Sequence, residues 1–425
     1  SSGMASPTPI VAAAPDITVE AVDTNVGPDH GHPSDPVIWS GQLFFSAKDG
    51  FACSGNIPGE VTGDELGEYG RELFTAGINT GPILVKDINR QVSGNCDGVG
   101  QFLEDFAAGM NGALIFRARP LGARDTGFEP WRTQGTDPST EIVADIWLNS
   151  GNSNPYGMAT VLGGSHVAFS AGHSFWGQEP WITDGTQGGT HNAGNIAPDA
   201  DSSNPYYFTA LNANQFVFVA EDGDAGDYEL YVSDGTNATL VKDVHPVPYR
   251  SSDIQMLTTF VGQDKAVFYA YDDTAGREPW VTDGTPAGTF RLADINSGTG
   301  SSNTDDTGDN AGFVQVGAQM FFSADDGTTG RELWVTDGTS AGTRLVTEIV
   351  AGSGGGYFAQ AAAFQNQLWF AAPGIGLWYS DGTAGGTAPL VEGIFSGGLR
   401  YLTTVGDLLY FTSSGRLWVS DGTVS

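Results

Sequence analysis

Three carboxylates lie within six residues, at Asp222, Asp224 and Asp227, and they are separated by small residues. Hard cations, Ca²⁺ above all, take oxygen ligands from glycine-containing loops of this kind. The terminal Glu of the twelve-residue EF-hand loop is missing, so the segment predicts a Ca²⁺ site outside that motif. The Asp-rich segment 305–309 is a second candidate, or else a solvated loop tip.

Two loops share the sequence Asn-Pro-Tyr, with Asn154 and Tyr156 in the first and Asn204 and Tyr206 in the second. Amide and phenol groups can hydrogen bond to sugar hydroxyls, and the tyrosine ring adds a flat apolar face. An ordinary turn ending in Pro would have the same sequence. The binding interpretation predicts that these four residues contact a ligand.

A histidine and a tryptophan, His173 and Trp176, lie just before Glu179-Pro180-Trp181. Such a pair could place a general base beside a ring that stacks on sugars, or could be plain loop residues. His30 and His32 are too few to predict a transition-metal site. The chain has none of the common sequence motifs of serine hydrolases, zinc proteases or phosphate-binding loops, so no catalytic residue is predicted.

The two cysteines, Cys53 and Cys96, lie in loops on either side of the first sequence repeat. We interpret them as one disulfide, which forms and persists in oxidising compartments. The opening Ser-Ser-Gly-Met-Ala-Ser is typical of an engineered leader, so residues 1–16 are expected to be a disordered leader. The protein is therefore expected to be secreted, either extracellular or at the cell surface.

The charge balance is strongly acidic, with 17 Lys and Arg against 50 Asp and Glu and a net charge of −33. A surface of this sign repels phosphates and anionic lipids, so nucleic acid and membranes are not expected partners. It attracts cations, or simply keeps the protein soluble. No apolar stretch is long enough to cross a membrane, so membrane insertion is not expected.

One phrase recurs along the whole chain, and its clearest copies are residues 277–289 and 331–343. Aligning the copies on their aromatic residue gives eight positions: Phe74, Trp131, Trp181, Tyr231, Trp280, Trp334, Trp378 and Trp418. Repeats of about 40–55 residues are typical of propellers and solenoids.

Each copy has room for four short strands. In the sixth copy they are expected near 313–316, 320–324, 332–336 and 344–349, with turns at the Gly and Asp residues between them. A β-solenoid would need shorter coils. The sequence therefore predicts an all-β fold, an eight-bladed β-propeller of four-stranded antiparallel blades spanning residues 17–425.

The last copy stops at Asp421-Gly422-Thr423 and lacks a fourth strand. The segment 17–22 reads like the fourth strands of other copies, such as 84–88 and 240–244. We expect this N-terminal strand to join the last blade and close the ring, which would also remove an exposed sheet edge.

The phrase resembles the ELWxxDGT repeat of large exported bacterial proteins, which Glu332-Leu333-Trp334 and Asp337-Gly338-Thr339 reproduce fully. The resemblance covers 17–425 and implies export, a surface or matrix setting and a place within a larger protein. It implies almost nothing about a reaction. The first two copies lack the Asp, so that residue cannot be a function shared by all repeats.

The repeated Asp is interpreted as a turn residue and the repeated Trp as packing between blades, because a function repeated round a ring makes little sense. Function is expected in the loops that differ between blades. The leading hypothesis is a non-catalytic recognition or adhesion module that binds a polysaccharide or another macromolecule through one loop face. The alternatives are a polysaccharide lyase or hydrolase with an axial site, and a pure scaffold.

Overall fold

The structure is a computed structural model. It describes residues 12–13, 34–40, 42–48, 71–76, 83–86, 88, 104–108, 112–120, 126–198, 201–223, 226–303, 312–350, 352, 360–372, 376–392, 399–413 and 416–422. These residues form eight antiparallel four-stranded sheets, as predicted, and no α-helix occurs among them. No helix in the described part of the chain has the length and apolar character needed to cross a bilayer.

The chain divides into two compact units, and the first of them spans Glu20–Val241. Its sheets 1 to 4 follow the chain in order, each with four consecutive strands. The strands are β2 Ser34–Trp39, β3 Gln42–Lys48, β4 Arg71–Ala76 and β5 Ile83–Lys86; β6 Glu104–Ala108, β7 Leu114–Ala118, β8 Glu129–Thr133 and β9 Glu141–Ile142; β10 Tyr156–Val161, β11 His166–His173, β12 Gly177–Thr183 and β13 His191–Asn192; β14 Tyr206–Ala210, β15 Phe216–Glu221, β16 Tyr228–Ser233 and β17 Ala238–Lys242.

The second unit comprises Ser1–Val19 and Lys242–Ser425. It contains sheets 5 to 8, and the last of these takes its fourth strand from the N-terminal segment. The strands are β18 Gln255–Phe260, β19 Lys265–Asp272, β20 Gly276–Thr282 and β21 Phe290–Arg291; β22 Val314–Val316, β23 Gln319–Asp325, β24 Arg331–Thr336 and β25 Arg344–Thr347; β26 Gln360–Phe364, β27 Gln367–Ala372, β28 Gly376–Ser380 and β29 Thr387–Glu392; β30 Leu399–Val405, β31 Leu408–Ser413, β32 Arg416–Ser420 and β1 Ala12–Ala13.

The strands predicted for the sixth repeat are confirmed to within two residues at each end. The N-terminal strand differs in position. Ala12 pairs with Val419 and Ala13 with Trp418, so the residues that complete the last sheet lie within the segment expected to be a leader. The segment 17–22, for which this role was predicted, lies outside the described residues.

The repeated aromatic residue lies on the third strand of every sheet, and in six of the eight sheets it packs against the preceding sheet. Trp131 joins a buried cluster with Phe44 and Leu73 of sheet 1, and Trp181 packs with Ile115 of sheet 2. The same arrangement recurs within the two units at Tyr231, Trp334, Trp378 and Trp418. The predicted role in packing between sheets is confirmed.

The repeated Asp caps the turn between the third and fourth strands. The Oδ1 atom of Asp184 accepts the backbone N–H of Thr186 at 2.8 Å and the Thr186 hydroxyl at 2.6 Å, and these bonds lower the pKa of Asp184. Gly185 has a φ of 84°, and a Cβ on Gly189 would lie 2.1 Å from the Asp184 side chain. The same cap recurs at Asp283, Asp337 and Asp381. The predicted structural role of the Asp-Gly turn is confirmed.

The aromatic position supports a stability test. Trp131 is only 7% exposed, so we expect Trp131→Ala to lower the free energy of unfolding by about 3–5 kcal/mol. Trp131→Phe is expected to cost less than about 1.5 kcal/mol, because Phe74 fills the same position in sheet 1. Urea denaturation followed by tryptophan fluorescence and circular dichroism measures both. Trp176→Ala, at an exposed position, is the control and should change stability little; an equal loss in all three variants would contradict the packing role.

Candidate functional site

Sheets 3 and 4 bring most of the predicted site residues to one edge. In an antiparallel sheet, the segment before the first strand and the turn between the second and third strands lie at the same edge. Hydrogen bonds join them here: the Gly172 N–H donates to the Ser153 carbonyl at 2.7 Å, and the Glu221 N–H donates to the Ser203 carbonyl at 2.9 Å. We call this end of the strands of a sheet, with the loops that lie there, the loop edge; it is distinct from the outer strands of the sheet.

A buried glutamate on the third strand of sheets 2, 3, 5 and 6 anchors the loops at this edge. The Glu129 carboxylate accepts the N–H of Ile146 at 2.9 Å, the N–H of Ser153 at 3.1 Å and the Ser153 hydroxyl at 2.7 Å. Glu179 repeats the pattern with Ile196 and Ser203, at 2.9 and 2.7 Å. In sheets 2 and 3, one side chain therefore fixes the crossover to the next sheet.

The same anchor occurs in the second unit, at Glu278 and Glu332. In each case the N–H groups of the residues 17 and 18 positions after the Glu donate to its carboxylate. In three of the four cases the Ser 24 positions after the Glu donates as well. Sequence analysis missed this role. The signal was present, because a Glu stands two residues before the aromatic at positions 72, 129, 179, 229, 278 and 332.

Burial raises the pKa of the anchoring carboxyls, and it outweighs the hydrogen bonds that lower it. The pKa is about 7 for Glu129, Glu179 and Glu278, against an ordinary value of 4.5. All three side chains are fully buried. Near neutral pH these groups are therefore close to the midpoint of their titration.

A pH dependence of stability follows. The folded protein holds these protons more tightly than the unfolded chain, so each bound proton contributes to the free energy of unfolding. That contribution is complete below about pH 4.5 and is lost as the pH rises through 7, by up to about 1.4 kcal/mol per pH unit for each group. We expect stability to fall between about pH 5 and pH 8. Glu179→Gln should flatten the slope, whereas Glu348→Gln, at an exposed position, should not. Denaturation curves across this range test it; stability that increased with pH would contradict the argument.

Exposed aromatic rings form a group at the loop edge of sheet 3, comprising Trp147, His173, Phe175 and Trp176. His173 stacks on Trp176 with a centroid distance of 4.4 Å and lies 5.7 Å from Phe175. The Trp147 ring packs over Gly172, where a Cβ would come within 3.5 Å of it. Phe175 is 75% exposed, and Trp176 and Trp147 are 39% and 38% exposed.

The backbone explains why these rings are exposed together. Glu129 also accepts the Trp147 N–H, at 3.4 Å, which fixes the loop that carries this ring. The turn after β11 is held by a bond from the Trp176 N–H to the His173 carbonyl at 3.3 Å. Burial lowers the pKa of His173, so its ring is neutral at neutral pH. This group can therefore stack on a ligand without adding positive charge.

A second group, the tyrosine group, lies beside it on sheet 4 and comprises Tyr206, Tyr207 and Tyr228. The Glu221 carboxylate accepts Asn204 Nδ2 at 2.7 Å and the Tyr228 hydroxyl at 3.0 Å. Tyr206 lies 5.5 Å from Tyr228 and 5.0 Å from Tyr207, measured between ring centroids. Adjacent side chains of a regular strand point to opposite faces, so the second contact needs a local distortion.

A bulge supplies that distortion. The pairing of β14 with β15 shifts between Tyr206 and Thr209, and Tyr207 adopts a φ of 56°. The same shift occurs in sheets 3, 5 and 8, with positive φ at Gly157, Met256 and Tyr401. Bulges of this kind redirect side chains and recur next to functional sites, and a left-handed tyrosine is uncommon. No sequence signal predicted this bulge.

The predicted ligand-binding residues divide between the two groups. His173 and Trp176 belong to the aromatic group, and Asn204 and Tyr206 belong to or adjoin the tyrosine group. Tyr156 lies close enough to Tyr228 to interact with its phenol electrostatically. Asn154 is exposed on the same edge, with its N–H bonded to the Phe128 carbonyl at 3.1 Å. Both Asn154 and Asn204 have a φ of 44°, so the Asn-Pro-Tyr segments are also structural turns.

The predicted metal ligands lie in the turn between β15 and β16. Asp222 is exposed and Asp227 half-buried, whereas Asp224 lies outside the described residues. Within the described ranges, no three or more His, Cys, Asp or Glu side chains are grouped as metal ligands would be. Cys53 and Cys96, His30 and the segment 305–309 also lie outside the described residues.

Comparisons with known proteins give matches among solved structures. No protein-family model matches the chain, and a comparison with curated proteins finds no match. The chain is similar to the computationally designed Ika8 protein, with 13% identity and a TM-score of 0.45 over 92% of this chain and 97% of that one.

It is also similar to a structure from a study of two prolyl endopeptidases, with 12% identity, a TM-score of 0.42 and 88% of this chain aligned, and it spans 52% of that protein's length. The TolB of Acinetobacter baumannii gives 11% identity and a TM-score of 0.32 over 63% of this chain and 58% of that one. No activity of these proteins is assigned to this chain.

Proposed function

We propose that this protein is a non-catalytic recognition module that binds a polysaccharide at the loop edge of sheets 3 and 4. The observation that carries the proposal is the exposed aromatic group of Trp147, His173, Phe175 and Trp176. Single exposed apolar residues are ordinary, but several in contact on one edge mark a binding surface.

Flat rings suit a sugar because its C–H faces are apolar while its rim carries hydroxyls. The aromatic group supplies the apolar contact. Asn154 and Tyr156, which lie on the same edge, can hydrogen bond to hydroxyls, and so can Asn204 and the phenols of the tyrosine group. Glu129 holds the backbone of Trp147, and the bond from the Trp176 N–H to the His173 carbonyl holds the turn after β11. Segments that are already ordered lose little conformational freedom on binding, which favours affinity.

The three glutamates near the aromatic and tyrosine groups have structural roles, which favours binding over catalysis. Glu129 and Glu179 are buried and hold loops, and both oxygens of Glu221 accept hydrogen bonds, from Asn204 and Tyr228 on one oxygen and from Gly226 on the other. A glycoside hydrolase needs two carboxyl groups that reach the scissile bond. The release of reducing ends or unsaturated sugars from a bound glycan would contradict the non-catalytic proposal.

For the fold, we propose a closed eight-bladed β-propeller. Two observations support it: the pairing of β1 with β32 in the last sheet, and the contacts between first strands of neighbouring sheets within each unit. First strands lie side by side when sheets stand round a common axis. The innermost strands would then carry the bulges at Tyr207 and Tyr401.

For the setting, we propose a secreted or surface-exposed protein that is part of a larger exported bacterial protein. The similarity to the ELWxxDGT repeat supports this, as does the pair Cys53 and Cys96, for which a disulfide remains a prediction. An acidic, glycan-binding propeller would serve adhesion in that setting.

The aromatic group gives a direct test of glycan binding. On an array of neutral and charged glycans, Trp176→Ala and Phe175→Ala should each lower the affinity for the bound glycan about tenfold, because each removes a ring from the contact surface. Thermal melting should show that both variants remain folded.

Phe290→Ala is the matched control, since Phe290 is also an exposed aromatic, at 36%, but begins the fourth strand of sheet 5, at the edge opposite the loop edge. It should bind like the unaltered protein. An array without any bound glycan would contradict the proposed function and leave a scaffold or a protein-binding module in its place.

For the acidic turn, we propose that Asp222, Asp224 and Asp227 bind Ca²⁺ in the way that the sequence predicts. An ion bound only by the folded state raises the melting temperature. We expect a rise in about 1 mM CaCl₂ relative to EDTA, and its loss in Asp222→Asn/Asp227→Asn. Asp407→Asn, in an exposed turn of sheet 8, should keep the rise. An unchanged melting temperature in CaCl₂ would remove the calcium proposal.

A further inference from the structure

The exposed rings of sheets 3 and 4 lie in a part of the chain that has no permanent positive charge. No Lys or Arg occurs between Arg132 and Lys242. This stretch contains all of sheet 3, from Tyr156 to Asn192, and the first three strands of sheet 4. His173, the histidine of the aromatic group, has its pKa lowered by burial and is neutral at neutral pH. Sheet 3 and the first three strands of sheet 4 therefore contribute no Lys or Arg to the loop edge; Arg117 and Arg119 lie over the Phe128 ring of sheet 2, next to Asn154.

Carboxylates line the same edge. Asp201 is exposed and directly precedes Ser202, whose hydroxyl accepts the Gln178 N–H at 3.0 Å just after the aromatic group. Asp222 is exposed and follows Glu221, which is bonded to Ser203. The two exposed carboxylates therefore lie on segments that join the aromatic group to the tyrosine group.

The tyrosine group adds faces that attract cations. The face of a phenol ring is electron-rich, and a cation within about 6 Å of the ring centre is stabilised by it. Tyr207 is 46% exposed, and Tyr206 and Tyr228 lie beside it. Burial and the neighbouring Glu221 carboxylate raise the pKa of Tyr228 to about 12, so this ring stays a neutral phenol.

From this combination we infer that the ligand is a glycan that carries protonated primary amines, such as a polymer of 2-amino-2-deoxyglucose. The inference rests on the proposed function and makes it specific. The aromatic group would pack against the pyranose rings, while the tyrosine faces with Asp201 and, in the Ca²⁺-free protein, Asp222 would hold the ammonium groups. A neutral sugar would use the rings alone, and an acidic sugar would be repelled.

The test compares two hexasaccharides that differ only in their amino groups, hexaglucosamine and hexa-N-acetylglucosamine. Isothermal titration is carried out in EDTA, at a pH where the amines are protonated. We expect hexaglucosamine to bind at least about tenfold more tightly, and its affinity to fall about fivefold or more when NaCl is raised from about 20 mM to about 500 mM, because salt screens exposed charges. The acetylated hexamer should show little salt dependence.

The charge variant isolates the carboxylates. Asp201→Asn/Asp222→Asn should weaken hexaglucosamine about two- to fivefold at low salt and leave the acetylated hexamer unchanged, as expected for exposed charges. Asp407→Asn, an exposed carboxylate of the second unit, is the matched control and should change neither affinity. Trp176→Ala should weaken both ligands.

Each result has a separate meaning. Equal binding of both hexamers would overturn this inference and leave glycan recognition standing. Hexalysine binding as tightly as hexaglucosamine would also overturn it, because charge alone would then account for the affinity. A failure of both sugars, with no hit on the glycan array, would remove the proposed function itself.

Discussion

The bond between a buried carboxylate and the amides of the next crossover is the interaction on which this architecture depends. A short-stranded sheet has little to fix the direction in which the chain leaves it. In four sheets a glutamate on the third strand accepts the N–H groups of residues 17 and 18 positions later, and so fixes that direction. Charge-assisted bonds to amides are stronger than neutral ones, which compensates in part for removing the carboxylate from water.

This anchoring allows a uniform scaffold to present unlike surfaces. At the opposite edge from the anchored loops, the turns of sheets 3, 5, 6 and 7 are built alike, each with an Asp that accepts the amide and hydroxyl of a Thr two residues later. At the loop edge the sequence differs from sheet to sheet, with a Trp and Phe in sheet 3, tyrosines in sheet 4 and ion pairs such as Arg291 with Asp272 in sheet 5. Variation is therefore concentrated where the backbone is already held by the glutamate.

The repeat allowed the four-stranded sheets to be predicted from sequence, because the strand patterns and turn residues of each copy indicate the same structure. The four strands of the sixth copy and the capping role of Asp337 could be predicted from local chemistry alone. The glutamate anchor was not predicted, although the Glu recurs in six copies, because its partners lie 17 to 24 residues later and only the folded chain brings them together. For the same reason the bulge at Tyr207, and with it the contact between two adjacent tyrosines, was not foreseen.

Some contacts within the aromatic group follow from the sequence and others do not, for a physical reason. His173 and Trp176 adjoin each other in a tight turn, so their stacking follows from short-range geometry. Trp147 was not singled out, because it reaches the same surface from a different loop, and only the packing of its ring over Gly172 shows this. Contacts between separate loops depend on the fold and not on spacing along the chain.

The glutamate anchor also defines how such a chain can grow by duplication. In three sheets the serine that bonds the glutamate lies 24 residues after it. The long extra segment before Phe313 lies after such a serine, Ser302, and so leaves that spacing unchanged. The spacing from acid to serine is therefore constant in these three sheets, and the length of the crossover varies after the serine. A duplicated unit that ended with the fourth strand would separate the acid from its amides, whereas one that ended after the serine would keep them together.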